Sequence, residues 1–130
     1  MDRKARENLE AAKHLLCLDE PCTNAAATRA YYAAYHALWA GLAEQDEQPS
    51  EPRPGIRYFP HKSGGGLESI ADVAERCLEL SEDEIEDLER LWDFRVKADY
   101  MPDDVVADEA KDCYEAARAI VARVVGEGEQ

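Results

Sequence analysis

Apolar residues recur along this chain at three- and four-residue spacing, the period of helices that bury one face. The first block runs from about Asp2 to Leu18 and sets Ala5, Leu9, Ala12, Leu15 and Leu16 on one side. Asp19-Glu20-Pro21 stops it, and Thr23 or Asn24 reads as the N-cap of a second helix, about Ala25 to Ala43. After a long connection, a short third helix is expected over about Leu67 to Leu78. Ser81-Glu82-Asp83-Glu84 has the capping-box pattern and opens a fourth, which turns Ile85, Leu88, Leu91 and Trp92 inward until Met101-Pro102. A fifth, about Val105 to Val125 with Asp103 or Asp104 as its cap, repeats Val106, Ala110, Cys113, Ala117, Ile120, Val121 and Val124. No strand pattern competes, so the expected fold is an all-α, up-and-down helix bundle.

The connection from about residue 46 to 66 holds Gln48-Pro49-Ser50-Glu51-Pro52-Arg53-Pro54-Gly55 and ends in Gly64-Gly65-Gly66. Proline there forbids continued helical hydrogen bonding, and loops this long inside compact domains are commonly functional. Gly126 and Gly128 loosen a tail over about 126–130. With 130 residues the chain reads as one domain, long enough to bury a core without disulfides or a structural metal.

Charge narrows the possible partners. A formal net charge of -14 argues against a general coat for nucleic acid, because phosphate binding needs clustered Lys and Arg. Any polyanion must therefore dock locally. Arg53, Arg57, His61 and Lys62 offer such a place, since no acid occurs between Glu51 and Glu68, whereas Glu79 through Asp93 is densely acidic. No apolar run is long enough for a signal or membrane-spanning segment, so a cytoplasmic protein is expected. Cys17, Cys22, Cys77 and Cys113 form no C-x-x-C pair and read as buried small hydrophobes in a reducing compartment. His14, His36 and His61 are isolated, so no metal site and no cofactor is expected. Ser63-Gly64-Gly65-Gly66 lacks the strand, lysine and hydroxyl of a phosphate-binding loop.

Two places carry candidate chemistry. On the second helix, Tyr31, Ala34, Tyr35, Leu38 and Leu42 fall on one side and Arg29, Tyr32, Ala33, His36 and Ala40 on the other. Both sides look contact-making: the second either meets a subunit or ligand, or the helix is central to its own bundle. On the fourth helix, Arg95 and Asp99 share a stripe with Leu88 and Trp92, which puts an i, i+4 ion pair where periodicity predicts burial. Such a pair is either a structural salt bridge or an arginine held by Asp99 and aimed at a phosphate.

These residues fall in motifs. Arg29-Ala30-Tyr31-Tyr32-Ala33-Ala34-Tyr35-His36-Ala37 resembles the R-A-Y-Y-A-x-x-H-A signature of small free-standing HEPN proteins, and Arg95-Val96-Lys97-Ala98-Asp99-Tyr100 resembles their R-x-x-A-D-Y. His61-Lys62-Ser63-Gly64 is similar to the H-x-G-type loop between their second and third helices. The resemblance implies an antiparallel four-helix bundle with a short additional helix. It also implies a homodimer, often paired with a nucleotidyltransferase in toxin–antitoxin or defence modules. Many HEPN proteins are metal-independent ribonucleases with an R-x4-6-H motif. Arg95 matches its arginine, but Tyr100, Met101 and Pro102 occupy the positions where the histidine would stand. His61 or His36 is the available substitute.

The leading expectation is a nucleotide- or RNA-interacting module using Arg29, Tyr32, His36, Lys62, Arg95, Asp99 and Tyr100. One alternative is an endoribonuclease toxin in which Arg95 and His61 are catalytic. The other is a protein-binding subunit that docks a nucleotidyltransferase through Tyr32, His36 and Trp39. In related two-gene systems a tyrosine near the arginine motif receives nucleotidyl groups, and Tyr100 stands in that place.

Overall fold

The computed structural model describes residues 2–54, 56–62 and 68–126. Five helices form: α1 (Asp2–Leu16), α2 (Thr23–Glu44), α3 (Ile70–Leu78), α4 (Glu82–Tyr100) and α5 (Ala107–Val125). α1 with α2, and α4 with α5, are joined by short connections, as antiparallel neighbours in a bundle are. The short α3 packs against α2 and α4.

α2 is the centre, packed against all four other helices. Ala26, Ala27, Ala30, Ala33, Ala34 and Ala37 have no exposed surface, so small side chains let neighbouring helices approach from several directions. Leu38 and Leu42 fill the gaps with Leu91, Val105, Cys113 and Ile120. The two-sided pattern of α2 is thus a helix enclosed by its own bundle, at least along its alanines. At Gly41 an added Cβ would lie 2.5 Å from Val124 Cγ1 and 3.1 Å from Leu78 Cδ1, so glycine here sets how closely α5 and the end of α3 approach.

Several helix ends differ from their sequence reading. α2 starts after Cys22, which makes no side-chain cap, rather than after Thr23 or Asn24. Asn24 is drawn off by tertiary partners instead: its Oδ1 accepts from the Val105 N–H (2.8 Å) and its Nδ2 donates to Asp104 (3.0 Å). Asp104 is engaged by Asn24, and neither it nor Asp103 caps α5. Its N-cap residue is Val106, whose N–H is satisfied by Glu109 Oε1 at 3.0 Å. Val106 is exposed rather than inward. α3 begins at Ile70 because the Ser69 side chain accepts from the Asp72 N–H, while Leu67 and Gly64 to Gly66 lie outside the described residues. The capping box of α4 forms as expected, with Ser81 and Glu84 bonded reciprocally. α1 ends at Leu16, and Gly128 with the rest of the tail beyond Gly126 is outside the described residues.

Two arginines complete helix ends. Arg123 donates to the carbonyls of Leu78 and Glu79 at the end of α3, where Glu79 adopts φ 54°. Arg6 donates to the Val125 carbonyl at the end of α5. Both supply acceptors left open by the helix with a cationic donor.

The long connection is not wholly irregular. β1 (Ser50–Arg53) and β2 (Ile56–Tyr58) pair antiparallel, with Ser50 opposite Tyr58 and Arg53 opposite Ile56. Pro52 and Pro54 obscured the pattern, yet a two-stranded ribbon tolerates proline because each strand has a free edge. The cysteine reading holds for Cys113, whose thiol burial pushes up to about 12, but Cys17 and Cys22 are exposed around the α1–α2 turn. No described helix is long and apolar enough to cross a membrane.

Gly41→Ala gains up to about 1 kcal/mol of helix propensity but forces a repacking that costs about 1–3 kcal/mol. The expected net effect is destabilisation by about 1 kcal/mol, measured by urea unfolding. Val124→Ala in the same chain should recover part of that loss by removing the contacted methyl.

Candidate functional site

The site is assembled from α2, α4 and the segment that leaves β2. That segment is pinned twice: the Tyr35 hydroxyl donates to the Phe59 carbonyl (2.6 Å), and the Ile70 N–H donates to the Pro60 carbonyl (2.8 Å). His61 is thereby set among aromatic rings. Its ring centroid lies 4.6 Å from Tyr35 and 5.5 Å from Trp92, nearly parallel to the latter, and its Nδ1 lies 2.5 Å from the Tyr31 hydroxyl. Burial raises the Tyr31 phenol above the usual range, so its hydroxyl stays protonated and can donate to or accept from the imidazole, according to the tautomer.

Arg95 also lies against Trp92. Its guanidinium carbon sits 5.5 Å from the Trp92 ring, 5.6 Å from Tyr32 and 5.2 Å from Tyr100. Nη2 donates to the Tyr32 hydroxyl at 3.0 Å and to the Tyr100 hydroxyl at 3.5 Å. Nε lies 3.0 Å from Asp99 Oδ2 without the alignment of a hydrogen bond, so the contact is an ion pair. The Arg95 side chain is 13% exposed and that of Asp99 30%, so the pair is sheltered but reachable. Asp99 is itself held, because Thr28 Oγ1 donates to its Oδ1 at 2.7 Å.

Tyr32 carries a second cation. The Arg29 guanidinium lies 5.6 Å from the same ring, and its Nη1 donates to Asn8 Oδ1 on α1 at 3.0 Å. Two arginines thus meet one tyrosine ring, and Asp99 pairs with Arg95 while Arg29 is tied to Asn8. His36 stands beside them, and its buried Nδ1 finds no partner among the described residues. Its pKa is lowered by burial and by the nearby positive charges of Lys4 and Arg29. His61 is lowered by burial and by Arg95. In a strongly acidic chain this is a local concentration of positive charge.

Arg29, Tyr32, His36, His61, Arg95, Asp99 and Tyr100 therefore gather about Tyr32 and Trp92. Tyr100 is 69% exposed, so it covers Arg95 from the solvent side. Lys62 is exposed, with Nζ 5.6 Å from the Trp92 ring. The side chains of Arg53 and Arg57, like Ser63 and Gly64, lie outside those described. Trp39 packs edge-on against Phe59 at 5.2 Å and against Tyr35 at 5.9 Å. Among the described residues no three His, Cys, Asp or Glu side chains gather as metal ligands. Sequence reasoning missed Thr28 and the hydroxyl of Tyr31. A buried tyrosine hydroxyl needs a partner, which was the available signal for Tyr31. Nothing local marks Thr28, whose partner is 71 residues away.

The HEPN domain family model matches residues 2–128, and the chain belongs to that family. Comparison with curated proteins finds no match. Family membership ties the chain to nucleotide- or RNA-related work in general terms, and HEPN domains often dimerise.

Two outcomes are expected from this geometry. Thr28→Val should cost about 0.5–1.5 kcal/mol in urea unfolding, the usual net value of one hydrogen bond. Because the folded-state pKa values of His36 and His61 lie below the ordinary value, the unfolded chain binds more protons as pH falls. Their contribution is complete above pH of about 6.5 and is lost as pH falls through the folded values. Unfolding free energies measured between pH 7.5 and 5.5 should show a shallower pH slope in His61→Asn than in the parent chain.

Proposed function

We propose that this HEPN-domain chain is a phosphate-recognising module for RNA or nucleotides, acting as a homodimer and paired with a nucleotidyltransferase in a toxin–antitoxin or defence-type two-gene system. The observation that carries the phosphate half is the placement of Arg29 and Arg95 on the same Tyr32 ring. A guanidinium is a planar fork suited to two phosphate oxygens, and its planar face rests on aromatic rings without losing its donors. Arg95 is held at Nε by Asp99, and the hydroxyls on Nη2 are neutral partners that a phosphate can replace. Thr28 and Asn8 fix the second layer, through Asp99 and Arg29 respectively. Family membership supports the same reading, and it supports a dimer as the working unit.

A second reading, an endoribonuclease, rests on one observation: His61 and Arg95 share Trp92 as a neighbour. Cleavage would need a group that takes the 2′-hydroxyl proton while Arg95 stabilises the charge that develops on phosphorus oxygens. Burial and Arg95 favour the neutral form of His61, as a base requires, but its Nδ1 is already engaged by the Tyr31 hydroxyl. Only its Nε2 is left for substrate, and it is a base there only when the ring proton moves to Nδ1. A hydroxyl donates or accepts equally well, so Tyr31 accommodates either tautomer. Tyr100, which stands where the motif histidine would, is already engaged by Arg95 through its hydroxyl and its ring.

The test is binding of a short single-stranded RNA by fluorescence anisotropy at several salt concentrations without divalent metal, with cleavage followed on a gel. Arg95→Ala, verified as folded, should bind about tenfold or more weakly and reduce the salt slope by about 1. Equal binding by parent and variant would sink the proposal. Cleavage that disappears in both Arg95→Ala and His61→Asn would move the assignment to the second reading.

A further inference from the structure

Beside the phosphate site lies a cleft of about 370 Å³ bounded by α2, α3, α4 and His61-Lys62, within the size range of small-molecule pockets. Leu38, Ile70, Ile85 and Leu88 give it an apolar floor. Its wall is Tyr31, His61 and Trp92, the same aromatic group whose other neighbours are Tyr32 and Arg95. Its rim is acidic. Glu89 and Asp93 stand one helical turn apart on α4, both exposed, and neither makes an ion pair among the described residues. Lys62 is the cation at the mouth. The combined site therefore carries both signs of charge: Glu89 and Asp93 line the cleft, while Arg29 and Arg95 lie outside its lining, against Tyr32, with Arg95 also touching Trp92. From Glu89 to Arg95 is about 9 Å along the helix axis, on the scale of one nucleotide.

We infer that this cleft is a base-selective pocket for guanine, joined to the phosphate site at Tyr32; the inference rests on the phosphate reading proposed above. Carboxylates only accept hydrogen bonds, so a base edge set against them must present N–H groups. Guanine presents N1–H and N2–H side by side, matching the two oxygens of one carboxylate. Adenine and cytosine place an acceptor nitrogen beside their amino group, and uracil flanks its single N–H with two carbonyl oxygens. The ring then rests on the apolar floor, and Lys62 at the mouth is a donor in reach of a carbonyl oxygen. Phosphate on the same nucleotide is repelled by the rim and drawn to Arg29 and Arg95, which fixes the ligand's direction.

Tryptophan fluorescence of the full chain, with Trp92 in the wall, reports binding of GMP, IMP and UMP. GMP should bind about tenfold more tightly than UMP, the low end for a bidentate contact at a solvated site. IMP, which lacks the N2 amine, should fall between them. Glu89→Gln with Asp93→Asn alters only exposed side chains and should abolish the preference while leaving the circular dichroism of the fold unchanged. Equal affinity for GMP and UMP, lost in Arg95→Ala, would overturn the guanine pocket and leave the phosphate site standing. Uniform tightening of all three nucleotides in the double variant would mean that the carboxylates only repel anions, which also overturns it. Absence of binding by every nucleotide would overturn both.

Discussion

Everything in this fold depends on one helix being enclosed by its neighbours. α2 packs on α1, α3, α4 and α5, so it cannot carry the broad polar face of an ordinary surface helix. Alanine meets that demand along much of its length, because it loses no side-chain entropy and permits close helix approach. Among the described residues most polar atoms that remain on α2 find a partner, His36 Nδ1 excepted, and those partners define the site. Tyr35 holds the Phe59 carbonyl, Tyr31 holds His61, Tyr32 meets Arg95, and Thr28 holds Asp99. Satisfying a buried helix and building a functional group are here the same set of hydrogen bonds.

The electrostatic arrangement follows from that geometry. A chain of net charge -14 repels polyanions at long range, so attraction must come from a few cations held where water screens them less. Arg95 is sheltered by three aromatic rings and balanced by Asp99. Arg29 is tied to a neutral amide, Asn8, and so brings uncompensated charge to the same ring. The histidines respond as expected of groups near such charge, both being driven toward the neutral form by burial and by neighbouring cations. Whatever binds there is selected at short range, by shape and hydrogen bonding, more than by the field of the whole molecule.

The sequence made much of this legible where the signal was local. The Ser81–Glu84 box, the Arg95–Asp99 spacing and the two contact-making sides of α2 are written within a few turns of helix, but not that its own bundle encloses α2. The motif resemblance added His61 to the same site, a placement no periodicity could give. What was not legible depends on distant partners. Asn24 looks like a cap until Val105 and Asp104 claim its side chain. Thr28 looks like any helix residue until α4 brings Asp99 to it. The hairpin was hidden because prolines that exclude helix also weaken the strand signal, and an isolated ribbon needs only a few backbone pairs. Cys17 and Cys22 were misread because composition assigns a compartment and not a depth.

The loss of the motif histidine and the presence of His61 need not describe the same chemistry moved to another residue. A histidine placed after an arginine on one helix shares that helix's rigidity, whereas His61 sits on a non-helical segment fixed by two backbone contacts and by Tyr31. Its orientation depends on Tyr35 and on the start of α3, elements that also border the cleft. His61 borders the cleft directly and also lies against Tyr32 and within the field of Arg95. The imidazole is therefore linked to the cleft by packing and to the arginine by charge, so a change at either is felt at His61.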